Sequence, residues 1–156
     1  MSKFFEVTKI DRNAVNYLIR NLEDLEKDEA VRRGLKDAGN VFKAGGQRRL
    51  KERMKTREGV TGNLNESINV RVKKRRPGVL IGFRQGKNGG NHAHLIDQGT
   101  NNRYTTGKKS VRAGIYRGRV TGNAFWTDTR SQDYPQAMDK LYEGIERAVS
   151  RITERR

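Results

Sequence analysis

Ile68-Asn69-Val70-Arg71-Val72, followed by Lys73-Lys74-Arg75-Arg76-Pro77-Gly78 and then Val79-Leu80-Ile81-Gly82-Phe83, is the stretch that decides the fold class. Ile68, Val70 and Val72 alternate with Asn69, Arg71 and Lys73, the period-two pattern of a strand with one buried face. Val79–Phe83 is apolar nearly throughout and reads as a returning strand that is buried more deeply. Between them, Arg76-Pro77-Gly78-Val79 predicts a type II turn: proline presets φ at the second position and glycine supplies a positive φ at the third. An antiparallel hairpin therefore lies in the middle of the chain.

Helical patterns flank it. Asp11 is a good N-cap, and Val15, Leu18, Ile19, Leu22 and Leu25 follow at spacings of three and four. The acidic cluster Glu23, Asp24, Glu26, Asp28 and Glu29 separates this stripe from a second one. That second stripe is Val31, Leu35, Ala38, Phe42 and Gly45, continuing through Leu50 and Met54. The pair Gly45-Gly46 suggests a bend in a long helix. Its other face is basic: Arg32, Arg33, Lys36, Lys43, Arg48, Arg49, Lys51 and Arg53. Near the end, Met138, Leu141, Ile145, Ala148, Val149 and Ile152 form a third stripe, with Pro135 suited to a first turn and Asp133 upstream as a candidate cap. The reading is one α+β domain over residues 1–156: helices at 11–57, a mostly antiparallel sheet with a long basic loop at 61–130, and a C-terminal helix at 133–153 packed on the sheet.

Of the 156 residues, 33% are apolar and 33% charged, lean for a self-sufficient core. Part of the burial is therefore expected from partner subunits. Net charge is +16. Residues 31–130 hold 24 Lys and Arg against six Asp and Glu, so the excess belongs to the middle of the chain. Such a field favours polyanions or acidic protein faces. The chain has no cysteine, which excludes disulfides and thiolate metal sites. No apolar run approaches a membrane span, and the first residues lack the apolar core of a signal peptide, so assembly in the cytoplasm and no membrane partner are expected.

The catalytic patterns are incomplete. His92 and His94 stand two apart near Asp97, where a strand would place both on one face, but a third strong ligand is missing. Gly114-Ile115-Tyr116 matches only the first half of a GIY-YIG nuclease motif, and phosphate-binding and nucleophile-elbow motifs are absent. No catalytic residue, metal or cofactor is expected. From Gly99 to Gly122 the chain is basic, rich in Gly and Thr and nearly without periodicity; a loop of this length is expected to order only on contact with other proteins. Ile115, Arg117 and Arg119 alternate with Tyr116, Gly118 and Val120, which suggests a short strand when docked. Phe125 and Trp126 read as aromatic anchors holding the last helix to the sheet.

Three segments carry a family resemblance. Thr61-Gly62-Asn63-Leu64 with Ser67-Ile68 follows the long helix. Ala93-His94-Leu95-Ile96-Asp97-Gln98-Gly99-Thr100 comes next, and Asn123-Ala124-Phe125-Trp126 leads to the last helix. In this order they resemble the phage tail-component family that includes tail-completion proteins of lambda-like siphophages, over roughly residues 12–152. Asp97 stands where that family usually has Glu, no proline precedes Phe125, and Trp126 replaces the common aliphatic. The resemblance implies a non-enzymatic virion protein: a neck component between head connector and tail, forming a ring of six or twelve copies. Its partners would be the head connector, tail-tube or tail-terminator proteins, and packaged DNA in the channel. The alternative is a non-sequence-specific nucleic-acid-binding protein. Asp97, Gly99 and Thr100 are expected to form a structural turn, with Asp97 accepting hydrogen bonds around Gly99-Thr100. Candidate interface or DNA-facing residues are Arg48 and Arg49 on the second helix, Lys73, Lys74, Arg75 and Arg76 at the hairpin tip, and Lys108, Lys109, Arg112, Arg117 and Arg119 in the loop. In a head-to-tail ring, the cluster at 23–29 would meet the basic helix of the next subunit.

Overall fold

The structure, a computed structural model, describes residues 4–7, 10–54, 62–106 and 114–156. The order along the chain is β1 (Phe4–Glu6), α1 (Arg12–Ile19), α2 (Asp24–Arg53), α3 (Asn63–Glu66), β2 (Ile68–Val72), β3 (Val79–Phe83), α4 (Ala93–Gln98), α5 (Phe125–Gln132) and α6 (Tyr134–Glu154). The α+β class follows the sequence pattern, with helices before the hairpin and a long helix at the end.

The hairpin forms as its alternation demands. β2 runs antiparallel to β3 in a register from Ile68 opposite Phe83 to Val72 opposite Val79. β1 pairs with the other edge of β3, so the more apolar strand is the central one. Val79, Ile81, Gly82 and Phe83 are buried, while Asn69 and Arg71 of β2 face solvent. The turn differs from expectation. Gly78 is not among the glycines with positive φ, so the tip is not a type II turn. A wider loop closes where the Lys73 amide donates to the Gly78 carbonyl at 2.8 Å, and the Arg32 guanidinium of α2 donates to the Lys73 and Lys74 carbonyls.

Asp11 caps α1, accepting from the amides of Asn13 (2.9 Å) and Ala14 (3.2 Å). The acidic cluster is not a spacer; it opens α2. Glu23 and Glu26 form a reciprocal capping box, which satisfies amides that have no partner within the helix. Leu25, expected on the α1 stripe, is 87% exposed on the first turn of α2.

α2 has 30 residues, about 45 Å of helix, and runs uninterrupted through Gly45-Gly46. The glycines serve close packing rather than a bend. A Cβ at Gly45 would lie 1.7 Å from Asp133 Oδ2, and one at Gly46 would lie 2.6 Å from Trp126 Cζ3. Nearer the N-terminus, Gly34 lets the Leu141 carbonyl and Ile145 approach, and Gly39 lets Val70 of the sheet approach. α6 buries Ala137, Met138, Leu141, Ile145, Ala148 and Ile152. Its main support is α2 rather than the sheet on which it was expected, and α2 in turn covers β2 and β3. Among the described residues, no helix is long and apolar enough to cross a membrane.

One polar bond lies inside this packing. Asp133 flanks the start of α6 but does not cap it with its side chain. Its carboxylate is bidentate to Arg49, with Nη1 to Oδ2 at 2.6 Å and Nη2 to Oδ1 at 2.7 Å. Thr129 Oγ1 and Gln132 Oε1 accept further bonds from the same guanidinium. Both partners are 6% exposed, so Arg49 does not belong to the solvent-facing basic surface. The hydrogen bond to Asp133 raises the Arg49 pKa above its ordinary value, against the opposing effect of desolvation.

Two outcomes follow for stability. Gly45→Ala drives a methyl into the Asp133 carboxylate and is expected to cost about 1–3 kcal/mol in denaturant unfolding; an unchanged midpoint would contradict the packing. Arg49→Met strands a buried carboxylate and is expected to cost about 3–5 kcal/mol, most of which the double variant Arg49→Met/Asp133→Leu should recover. Simple addition of the two single losses would contradict a buried, mutually satisfied pair.

Candidate functional site

The described parts of the three segments that carry the resemblance are linked beside α2: Ile68 and Trp126 lie against Gly46, and Asp97 holds the Trp126 amide. In the first, Ser67 donates to the Leu64 carbonyl at 2.7 Å and its own carbonyl accepts from Arg84, which ties α3 to the end of β3. The chain then passes Gly90, where a Cβ would stand 2.5 Å from Ser67 Oγ and 2.8 Å from Phe83 Cβ, and enters α4. The third segment returns to the end of α4: Asn123 donates to the Ile96 carbonyl and Ala124 to the Asp97 carbonyl, both at 2.9 Å.

Asp97 was expected to bind the turn at Gly99-Thr100. It reaches instead across the fold to the N-terminus of α5. Oδ1 accepts from the amides of Trp126 (2.7 Å) and Thr127 (3.0 Å), and Oδ2 accepts from Thr127 Oγ1 (2.7 Å). The residue in the capping position is Ala124, which has no side-chain acceptor to offer, so Asp97 caps the helix from another segment. Its negative charge also faces the positive end of the helix dipole. The turn is fixed by glycine itself: Gly99 has φ +80°, and a Cβ there would lie 2.6 Å from the Gly122 nitrogen. Thr100 closes it, its amide donating to the Val120 carbonyl and its Oγ1 accepting from the Val120 amide. Phe125 and Trp126 are buried in contact with Phe83, at centroid distances of 6.0 and 4.7 Å, both edge-on.

From this joint an arm leaves at Gly99 and returns at Gly122. Its described parts pair with one another, in the stretch that the sequence reads as a long loop with a short strand at residues 115–120. Bridges join Gly99 to Thr121 and Tyr104 to Tyr116. Between and beyond them, Arg103 donates to Gly118, Arg117 to Arg103 and Thr105 to Ile115. The Tyr104 and Tyr116 rings sit 5.5 Å apart across the pair. Tyr104 and Tyr116 are each 55% exposed and Ile115 is 46% exposed.

The basic candidates divide by place. Lys74, Arg75 and Arg76 are exposed at the hairpin tip, with Lys73 half-buried beside them. Arg117 and Arg119 are exposed on the arm, and Lys108, Lys109 and Arg112 lie outside the described residues. Arg48 is exposed on α2, 3.9 Å from Glu52. Arg32 holds the tip, and Arg53 holds the root of the arm by donating to the Asn123 carbonyl and pairing with Asp128 at 2.7 Å. Those two arginines are 21 residues apart on one helix, so the tip and the root of the arm are anchored about 30 Å apart along α2. The acidic cluster is engaged within the chain: Asp28 pairs with Arg32, Glu29 with Arg33, Asp24 with Lys27 and Glu26 with Arg156. His92 and His94 are exposed at α4, a helix rather than a strand, and do not share a strand face. Among the described residues there is no group of three or more His, Cys, Asp and Glu placed to hold a metal.

Arg103 and Tyr104 stood out in no sequence pattern, and Tyr116 only in an incomplete motif and an alternation, not as a site residue. The available signal was compositional: residues 99–122 hold six Lys and Arg and no Asp or Glu. No protein-family model, curated protein or solved structure matches this chain.

Proposed function

We propose that this chain is a non-enzymatic structural subunit of a tailed bacteriophage, a neck or tail-completion component that closes into a ring between the head connector and the tail. The observation that supports the reading is that the second and third resembling segments join at Asp97, while Ile68 of the first and Trp126 of the third both lie against Gly46, although the segments are spread over more than 60 residues of sequence. Segments that build one joint are under a common constraint, so their joint occurrence in order has a physical reason. The arm grows out of that joint and carries exposed Tyr104, Ile115 and Tyr116. In a ring, such a projection reaches a neighbour, and the lean apolar content of the chain is supplemented by burial between subunits.

The test is native mass spectrometry and light scattering of the full chain, alone and mixed with head-connector and tail-tube proteins of a tailed bacteriophage. Closed species of six or twelve copies are expected with a partner present, weakening as salt rises because exposed ion pairs are screened within about 10 Å at 0.1 M. A chain that stays monomeric with each of these partners at every salt concentration would overturn the reading.

A further inference from the structure

The arm has two chemically different faces. In an extended antiparallel pair, opposed residues send their side chains to the same side and successive residues alternate sides. Tyr104 opposes Tyr116, and their ring contact fixes them to one face. The adjacent pair is Arg103 and Arg117, joined by the bond from the Arg117 amide to the Arg103 carbonyl, and it takes the opposite face. Two like charges placed directly across a ribbon repel each other. Nothing in the arm relieves this, because residues 99–122 contain no Asp or Glu. Among the described residues, no carboxylate pairs with Arg103, Arg117 or Arg119, and all three are exposed. This contrasts with α2, where Arg32, Arg33, Arg48 and Arg53 each have an acidic partner. Arg119 also lines a hollow of about 470 Å³ at the root of the arm, with Gln98, Thr100 and Asn101 around it.

We infer that the arm binds the phosphate backbone of duplex DNA, with Arg103 and Arg117 as opposed phosphate ligands and Arg119 beside them at the root. Arginine suits this role because its fork of donors matches phosphate oxygens and its charge is permanent. A phosphate between Arg103 and Arg117 converts their repulsion into two attractions. The tyrosine pair on the other face stiffens the ribbon, since aromatic cross-strand contacts add stability that an isolated two-stranded ribbon lacks. B-form DNA has a major groove wide enough to admit a two-stranded ribbon, whereas the major groove of A-form RNA is too narrow to be read by side chains. Contacts to phosphate carry no sequence information, so binding is independent of sequence, and the groove that admits the ribbon makes it stronger for duplex DNA than for duplex RNA. The inference does not rest on the ring: a monomer carries the same arm.

The experiment is fluorescence anisotropy of the full chain with two unrelated 20-base-pair DNA duplexes and one RNA duplex of about the same length, over a salt series. Each phosphate contact contributes about 0.9 to the slope of log affinity against log salt, so Arg103→Gln/Arg117→Gln/Arg119→Gln is expected to lower the slope by about 2–3. The same variant should lose at least about tenfold in affinity at 0.1 M salt, equally for both DNA sequences. Lys74→Gln/Arg75→Gln/Arg76→Gln removes the same charge from the other end of α2 and is expected to change the slope far less. The lysine version, Arg103→Lys/Arg117→Lys/Arg119→Lys, should restore most of the binding, which separates charge from damage to the fold. Three results would overturn the inference: no DNA binding by the parent chain at 0.05 M salt, equal losses in the arm and tip variants, or tighter binding of the RNA duplex. Displacement of DNA by polyglutamate at equal charge would likewise reassign the arm to an acidic protein. Rings that still form in the arm variant would leave the proposed function standing while its DNA contact is lost, so the two ideas fail separately.

Discussion

The Asp97 carboxylate sits 5% exposed at the N-terminus of α5, and much of the molecule's working end depends on it. Among the described residues no cation pairs with it; two amides and one hydroxyl satisfy it. Charge-assisted bonds of this kind are worth about 1.5–3 kcal/mol each when buried groups would otherwise go unpaired. Their position matters more than their sum. Asp97 lies two residues before the arm leaves the body at Gly99, and the amides it holds lie a few residues after the arm returns. The carboxylate therefore closes the root of the arm and starts α5 in one arrangement. Trp126, which gives one of the amides, packs with its ring on Phe83 and Gly46, so the same residue ties the joint to sheet and long helix.

The second constraint is α2. A helix that accepts neighbours on several sides must bring backbones close together, and its glycines do so where α6, the sheet, Trp126 and Asp133 press against it. Glycine in a helix interior costs roughly 0.5–1 kcal/mol relative to alanine. The gain is close contact with several neighbours along one uninterrupted helix. Arg49 then locks the end of α5 and the start of α6 to that helix through Asp133. Rigid attachment at this end is what allows the arm, at Gly99, and the hairpin tip, at Arg32, to hold fixed positions at opposite ends of the helix.

Legibility in the sequence follows from the range of the interactions. The hairpin, the Asp11 cap and the Pro135 start of α6 were readable because periodicity and capping act over a few residues. β1 has three residues, too few for alternation to register. The partner of Asp97 lies 29 residues away and that of Arg49 lies 84 away, so a carboxylate expected to brace its own turn caps a distant helix, and an arginine assigned to a solvated face is buried. The glycine pair looked like a bend because propensity cannot distinguish a weak point from a contact point. The arm looked unstructured because its pairing is irregular and its apolar content low, and only the backbone register separates an arginine face from a tyrosine face.

Asp97 closes a local joint that holds α5 and the arm. Amide hydrogen exchange in the parent chain and in Asp97→Ala tests it most directly. Loss of about 1.4–2.8 kcal/mol of local stability corresponds to roughly 10- to 100-fold faster exchange. Acceleration of that order is expected at Trp126 and Thr127 and at the root amides Thr100, Asn123 and Ala124, with the amides of Phe42 and Leu141 in the α2–α6 pair keeping their protection. Unchanged protection at Trp126 and Thr127, or an equal loss throughout α2 and α6, would contradict it.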